Sequence, residues 1–112
     1  MGKLQFLKTD DDFAAFRQSK SFQTPAVKIR VRYRSDQNNP RFGFIVPKKV
    51  MPKVVDRNLI KRRLKSLLLQ LEPRLKPADV VFYPQKELIR KKPAELSAVI
   101  TQLFSQAKIW KS

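Results

Sequence analysis

The sequence predicts a single small domain of the α+β class, an α/β sandwich in which helices pack on a roughly four-stranded sheet. Three observations predict it. Residues Val27 to Arg34 alternate apolar and basic side chains, as a strand with one buried face does. A helical period runs from Pro52 to Leu71. Asp79 to Tyr83 is a short apolar strand, followed by a second amphipathic helix from Pro93. At 112 residues, the chain has room for one modest core, so one domain is expected over residues 1–112.

The first predicted element is a helix in the segment TDDDFAAFRQS, residues 9–19. Thr9 can cap it, and Asp10 to Asp12 then lie in the first turn, near the positive end of the helix dipole. These aspartates could alternatively supply oxygen ligands to a divalent metal, but helix capping is the simpler explanation. Phe13 and Phe16 share one face of this helix, where they either pack in the core or form an aromatic wall for stacked bases.

A turn over Ser35 to Pro40 follows the alternating strand. Arg41 to Val46 is predicted to return from this turn as a second strand, which gives an antiparallel hairpin with a loop longer than the tight types.

The long helix is predicted to begin at Pro52, a residue that suits the first helical position, and to end before Pro73. At 100° per residue, one arc of this helix is apolar and the arc beside it is polar and mostly basic. The apolar arc holds Ile60, Leu64, Leu67, Leu68 and Leu71, and the basic arc holds Arg57, Asn58, Lys61, Arg62 and Lys65. In the last helix the apolar stripe is Leu96, Val99, Ile100, Leu103, Phe104 and Ala107, and Trp110 is expected to pin its end.

The composition narrows the function. Lys and Arg total 25 against 9 Asp and Glu, and the resulting net charge of +16 favours a polyanionic partner. The chain has no Cys and no His, and its remaining acids are scattered singly, so no catalytic acid/base pair or two-metal site is predicted. No apolar run approaches the roughly 20 residues of a membrane span. A cytoplasmic protein with no membrane partner is therefore expected.

The basic residues are concentrated. Nine of them lie between Arg41 and Lys65, against Asp56 alone. One interpretation is a solvated helix face, but such a face usually interleaves acids, because Glu–Lys pairs four apart stabilise a helix by roughly 0.2 to 0.5 kcal/mol each. Here like charges recur at Arg57, Lys61 and Lys65, which favours an interpretation in which RNA phosphate offsets the repulsion. The row Lys28, Arg30, Arg32 and Arg34 would add a basic sheet face.

Two segments carry a resemblance to a known family. Arg41-Phe-Gly-Phe-Ile-Val-Pro-Lys-Lys-Val50, followed by Asp56-Arg-Asn-Leu-Ile-Lys-Arg-Arg-Leu-Lys65, resembles the bacterial ribonuclease P protein family. That family shows an R-x-G-hydrophobic strand, then Lys-Lys, then a helix with R-N-R-x-K-R. The resemblance extends from the DDDF segment to the last helix.

The resemblance implies a ribosomal protein S5 domain 2-like fold with a left-handed βαβ crossover. It also implies a protein subunit of ribonuclease P that binds the catalytic RNA and the 5′ leader of precursor tRNA and supports endonucleolytic 5′ maturation of tRNA. The RNA would perform the cleavage with Mg²⁺ that it mainly holds itself, and the protein would supply no catalytic residue and bind no cofactor tightly.

The implied sites fall into two groups. The catalytic RNA is expected to be contacted by Lys48, Lys49, Lys53, Arg57, Asn58, Lys61, Arg62, Arg63 and Lys65. The leader cleft is expected to be lined by Phe13, Phe16, Arg17, Lys28, Arg30, Arg32, Tyr33 and Arg34.

Two departures from the family pattern lie in the basic helix and before it: Leu59 occupies the position of the motif's second Arg, and Pro52 stands where Gly or basic residues are common. In the first helix the usual second aromatic position is held by Arg17, with Phe16 beside it. The alternative function is a small ribosomal-type RNA-binding protein or an RNA chaperone. A protein endoribonuclease acting alone is disfavoured, because the chain lacks His and its acids form no catalytic cluster.

Overall fold

The computed structural model describes residues 5–6, 19–33 and 40–111. The predicted first helix with Phe13, Phe16 and Arg17, together with Arg34 and most of the turn that follows it, lies outside the described residues. The described elements are β1 (Gln5–Phe6), β2 (Lys20–Gln23), β3 (Val27–Tyr33), β4 (Arg41–Phe44), α1 (Val54–Leu71), a 3-10 turn (Glu72–Arg74), β5 (Ala78–Pro84), α2 (Lys86–Ile89) and α3 (Pro93–Ala107).

The strands form one mixed sheet in the order β1-β4-β5-β3-β2. β1 and β5 pair with β4 in parallel, whereas β3 pairs antiparallel with β5 and with β2. Because β1 is only two residues long, the prediction of a roughly four-stranded sheet with packed helices is confirmed. α1 connects the parallel neighbours β4 and β5, and this is the βαβ unit for which the resemblance implies a left-handed crossover.

The predicted hairpin between β3 and β4 is wrong, because β5 lies between them. Six of the seven residues of β5 are buried, and a strand covered on both faces is stable at the centre of a sheet. β3 forms its hairpin with β2 instead. At that turn the Thr24 backbone N–H donates to Val27 O at 2.8 Å, and Thr24 Oγ1 accepts from the N–H groups of Ala26 and Val27 at 3.2 Å each.

The core lies on one face of the sheet, where α1 and α3 both pack. The predicted apolar arc of α1 is confirmed, since Ile60, Leu64 and Leu68 have no exposed surface and Leu67 packs against them. α3 begins at Pro93 as predicted. Trp110 does pin its end: the ring meets Phe104 edge-on at 5.8 Å.

The long helix starts two residues later than predicted, at Val54. Just before it, Met51 O accepts a hydrogen bond from the Arg57 guanidinium at 2.8 Å. Lys53 is the N-cap, and its carbonyl accepts from the Arg57 N–H at 3.2 Å.

Candidate nucleic-acid interface

One side of α1 carries a group of cations. Asn58, Lys61, Arg62 and Lys65 line a shallow groove together with Val55. We call these five residues the helix groove. Their spacings of three, four and seven bring them to the same side of the helix, as the basic arc predicted. Among the residues that the structure describes, no carboxylate lies within ion-pair distance of the three cations. Within the described ranges, therefore, no acidic side chain offsets their mutual repulsion.

The helix groove reaches the β1 edge of the sheet. The Lys65 ammonium lies 5.1 Å from the centre of the Phe6 ring. Phe6 in turn packs against Phe44, with the ring centres 6.0 Å apart, and Phe44 stacks on Phe82 at 5.6 Å. A row of aromatic rings thus fixes this end of the groove relative to the core.

Two other predicted RNA-binding arginines have partners inside the protein. Arg57 Nη1 donates to Met51 O at 2.8 Å and to Pro52 O at 3.0 Å, so this guanidinium holds the turn before α1. Arg63 Nη1 donates to Ile89 O at 2.8 Å on another side of the helix. The structure therefore does not bring Arg63 into the helix groove with Lys61 and Arg62.

The predicted lysines Lys48, Lys49 and Lys53 lie in the connection between β4 and α1, and all three are exposed. Lys48 and Lys49 form a turn in which the N–H groups of Val50 and Met51 both donate to Pro47 O at 3.0 Å. The turn sets Lys49 beside Pro25 and Lys86. These lysines extend the basic surface from α1 to the end of the sheet.

A second basic surface lies on the sheet face opposite α1 and α3. Val27, Ile29 and Val31 face the helices, so Lys28, Arg30 and Arg32 face the other way, as the alternation predicted. We call Lys28, Arg30, Arg32 and Arg41 the cationic face. Its arginines are held in place: Arg30 Nε donates to Ser19 Oγ at 3.0 Å.

Asp79 organises the cationic face, and sequence reasoning missed it. The Asp79 side chain has no exposed surface and lies directly opposite Arg32 on one neighbouring strand and Arg41 on the other. Arg41 donates Nε to Oδ1 and Nη2 to Oδ2, both at 2.9 Å, and Arg32 Nη1 lies 3.4 Å from Oδ2. One buried carboxylate thus orients two guanidinium groups. These partners are 38 and 47 residues away in sequence, so no local pattern indicates them.

The two tyrosines of the sheet lie on opposite faces. Tyr33, predicted to line the leader cleft, follows Arg32 by one residue and therefore points to the helix side, where its hydroxyl donates to Ala107 O at 2.6 Å. Burial raises the pKa of this hydroxyl. The structure thus separates Tyr33 from Lys28, Arg30 and Arg32. Tyr83 instead lies on the cationic face, opposite Lys28 in register. The alternation of residues 79, 81 and 83 could have placed it there.

The described residues contain no group of three or more His, Cys, Asp or Glu side chains that could hold a metal ion. The Asp10 to Asp12 triplet lies outside them. None of the helices in the described ranges is both long and apolar enough to span a membrane.

Comparisons with known proteins show which family this chain resembles. A family model described as Ribonuclease P matches residues 1–108. The ribonuclease P protein component of an Exiguobacterium species is 30% identical over 111 residues, which cover 98% of this chain and 96% of that protein. The corresponding protein component from a Synechocystis species is 31% identical over 105 residues, covering 92% of this chain and 85% of the relative.

Solved structures share the fold. The ribonuclease P protein of Staphylococcus aureus superimposes with a TM-score of 0.84 at 17% identity, over 97% of this chain and all of that one. The protein from Thermotoga maritima gives a TM-score of 0.78 at 23% identity, over 91% of this chain and 96% of that one. These likenesses confirm the predicted α/β fold.

Proposed function

The chain belongs to the ribonuclease P protein family, and from this premise we propose how its two basic surfaces serve that enzyme. The chain is a subunit of the ribonuclease P holoenzyme, the endoribonuclease that matures tRNA 5′ ends. The family match across residues 1–108 sets aside the alternative of a ribosomal-type protein or an RNA chaperone. We assign the helix groove to the catalytic RNA and the cationic face to the 5′ leader of precursor tRNA. The proposal places the protein in the cytoplasm, together with both RNAs.

The observation that carries this assignment is the separation of the basic side chains onto two surfaces, a helix groove and a sheet face. The helix groove presents Lys61, Arg62 and Lys65 from one rigid helix, an arrangement suited to the phosphates of a folded RNA. The cationic face is part of a sheet and carries an aromatic ring among its cations. Flat basic surfaces with aromatic rings suit single strands, because bases stack on the rings while cations follow the backbone.

Lys48, Lys49 and Lys53 are assigned to the catalytic RNA with the helix groove, since the β4–α1 connection continues the same basic surface. Arg57 and Arg63 are assigned to it as well, through guanidinium N–H groups other than those that donate to backbone carbonyls. Phe13, Phe16, Arg17 and Arg34 stay predicted members of the leader cleft.

The described residues do not fit a Mg²⁺ site of their own. They contain no acidic cluster, and the buried Asp79 carboxylate is already bound by two guanidinium groups. We therefore propose that the RNA mainly holds the Mg²⁺ used in cleavage. The protein's part is to hold the substrate and to lower phosphate repulsion, which allows Mg²⁺ to act at lower bulk concentration.

Reconstitution with the cognate RNA tests the proposal. The complex should bind precursor tRNA more tightly than tRNA without a leader, and raising Mg²⁺ should partly replace the protein in cleavage. A Lys61→Ala/Arg62→Ala double variant should reduce the slope of log affinity for the catalytic RNA against log salt by about 2, because each lost cation releases about one counterion fewer. Lys111→Ala, which removes an exposed lysine that belongs to neither surface, is the control.

Two results would contradict the proposal. One is specific 5′ cleavage by the protein after nuclease treatment has removed all RNA. The other is a double variant whose affinity and salt slope for the catalytic RNA match those of Lys111→Ala.

A further inference from the structure

Tyr83 is the aromatic side chain that the described structure sets on the cationic face. It lies on β5, the central strand, and in register with Lys28 on β3. Its ring is half-buried and packs with Ile45 and Val81 in a small apolar cluster separate from the main core. The main core is on the other face of the sheet, so the exposed part of this ring is not required to fill it.

The surroundings of the ring fit an RNA base and its phosphate. The Lys28 ammonium lies 5.7 Å from the ring centre, near the outer limit of a cation–π contact. At this distance and between partly exposed side chains, such a contact is weaker than the stacking of a base on an aromatic ring. An arriving base can therefore take the place of the ammonium over the ring, and the freed Lys28 can pair with the adjoining phosphate.

We propose that Tyr83 is a stacking platform for one base of single-stranded RNA and that Lys28 binds the phosphate next to that base. The inference rests on the proposed function for the identity of the strand, which is the 5′ leader. Tyr33 lies on the other face of the sheet, where its hydroxyl donates to Ala107 O, so it does not contact a strand that lies on the cationic face. Stacking accepts every base, so the platform fits leaders of differing sequence.

The experiment uses the reconstituted holoenzyme and precursor tRNA with 2-aminopurine at each leader position in turn. In the wild-type complex, fluorescence should be quenched at one position. Tyr83→Phe keeps the ring and should keep the quenching, whereas Tyr83→Leu should lose it and bind the leader about 5- to 150-fold more weakly. The salt slope of Tyr83→Leu should equal that of wild type, because no cation is removed, while Lys28→Gln should lower the slope by about 1. Tyr33→Leu, the matched tyrosine of the opposite face, should keep the quenching.

A second measurement needs no variant. 4-Thiouridine at the quenched position should crosslink the wild-type protein within the peptide that contains Tyr83, which keeps the inference testable if Tyr83→Leu does not fold. The outcomes separate the two proposals. A wild-type complex without preference for leader-containing tRNA contradicts the proposed function. A wild-type preference that survives unchanged in folded Tyr83→Leu, or a crosslink to the Tyr33 peptide, overturns the platform alone.

Discussion

Replacing Asp79 by Asn removes the charge of the buried carboxylate that joins three strands, with almost no change in volume. Its two bonds to Arg41 are 2.9 Å long, whereas the contact to Arg32 is 3.4 Å and adds little. Hydrogen bonds to charged groups contribute about 1.5 to 3 kcal/mol each. Asn keeps one oxygen acceptor but turns an NH₂ group toward a guanidinium, so about one of the two short bonds is lost outright and the other becomes weaker.

The exposure of the two arginines limits the loss of stability in this variant. Their side chains are 28% exposed for Arg41 and 40% for Arg32, so water can solvate both charges in the variant. We expect Asp79→Asn to lower the free energy of unfolding by about 2 to 3 kcal/mol, less than the 3 to 5 kcal/mol typical when a fully buried pair is broken. The corresponding loss in Tm is on the order of 10 °C for a domain of this size.

Urea unfolding of the free protein measures this change, with Glu87→Gln as the matched control. Glu87 is exposed on α2, and its substitution changes the net charge by the same amount. Surface changes of this kind stay within about 0.5 kcal/mol. If Asp79→Asn and Glu87→Gln had equal free energies of unfolding at equal m-values, Asp79 would not hold the arginines as described.

Two further predictions concern α1. Leu64→Ala removes a side chain with no exposed surface and should lower the free energy of unfolding by about 2 to 5 kcal/mol. RNA affinity per folded molecule should be unchanged. A loss below about 1 kcal/mol in urea unfolding would contradict the packing. Arg57→Ala should destabilise the free protein by about 1 to 2 kcal/mol, because the carbonyls of Met51 and Pro52 lose their donor. Lys61→Ala should instead weaken RNA binding with stability nearly unchanged. Equal Tm values for the two variants would show that the Arg57 hydrogen bonds add no stability.

Local periodicity in the sequence determined which side of each element is apolar and which is basic. The alternation of Val27 to Tyr33 places three cations on one face of a strand, whatever the strand pairs with. The leucine spacing of α1 defines its buried side, and with it the side on which Lys61, Arg62 and Lys65 meet. Both patterns follow from the backbone geometry of a single element, so the sequence is enough to predict them.

Only the tertiary structure decided which elements meet. β4 pairs with β5 instead of β3 because the central position goes to the strand that can be buried on both faces, and that choice depends on the whole sheet. The tertiary structure also decided which arginines have partners inside the protein. In the sequence, Arg41, Arg57 and Arg63 are equivalent members of one basic run, but folding gives each of them an internal acceptor. Arg57 finds its acceptors in the preceding turn, while those of Arg41 and Arg63 lie 38 and 26 residues away. Such hydrogen bonds form between elements brought together by core packing, and no local pattern records them.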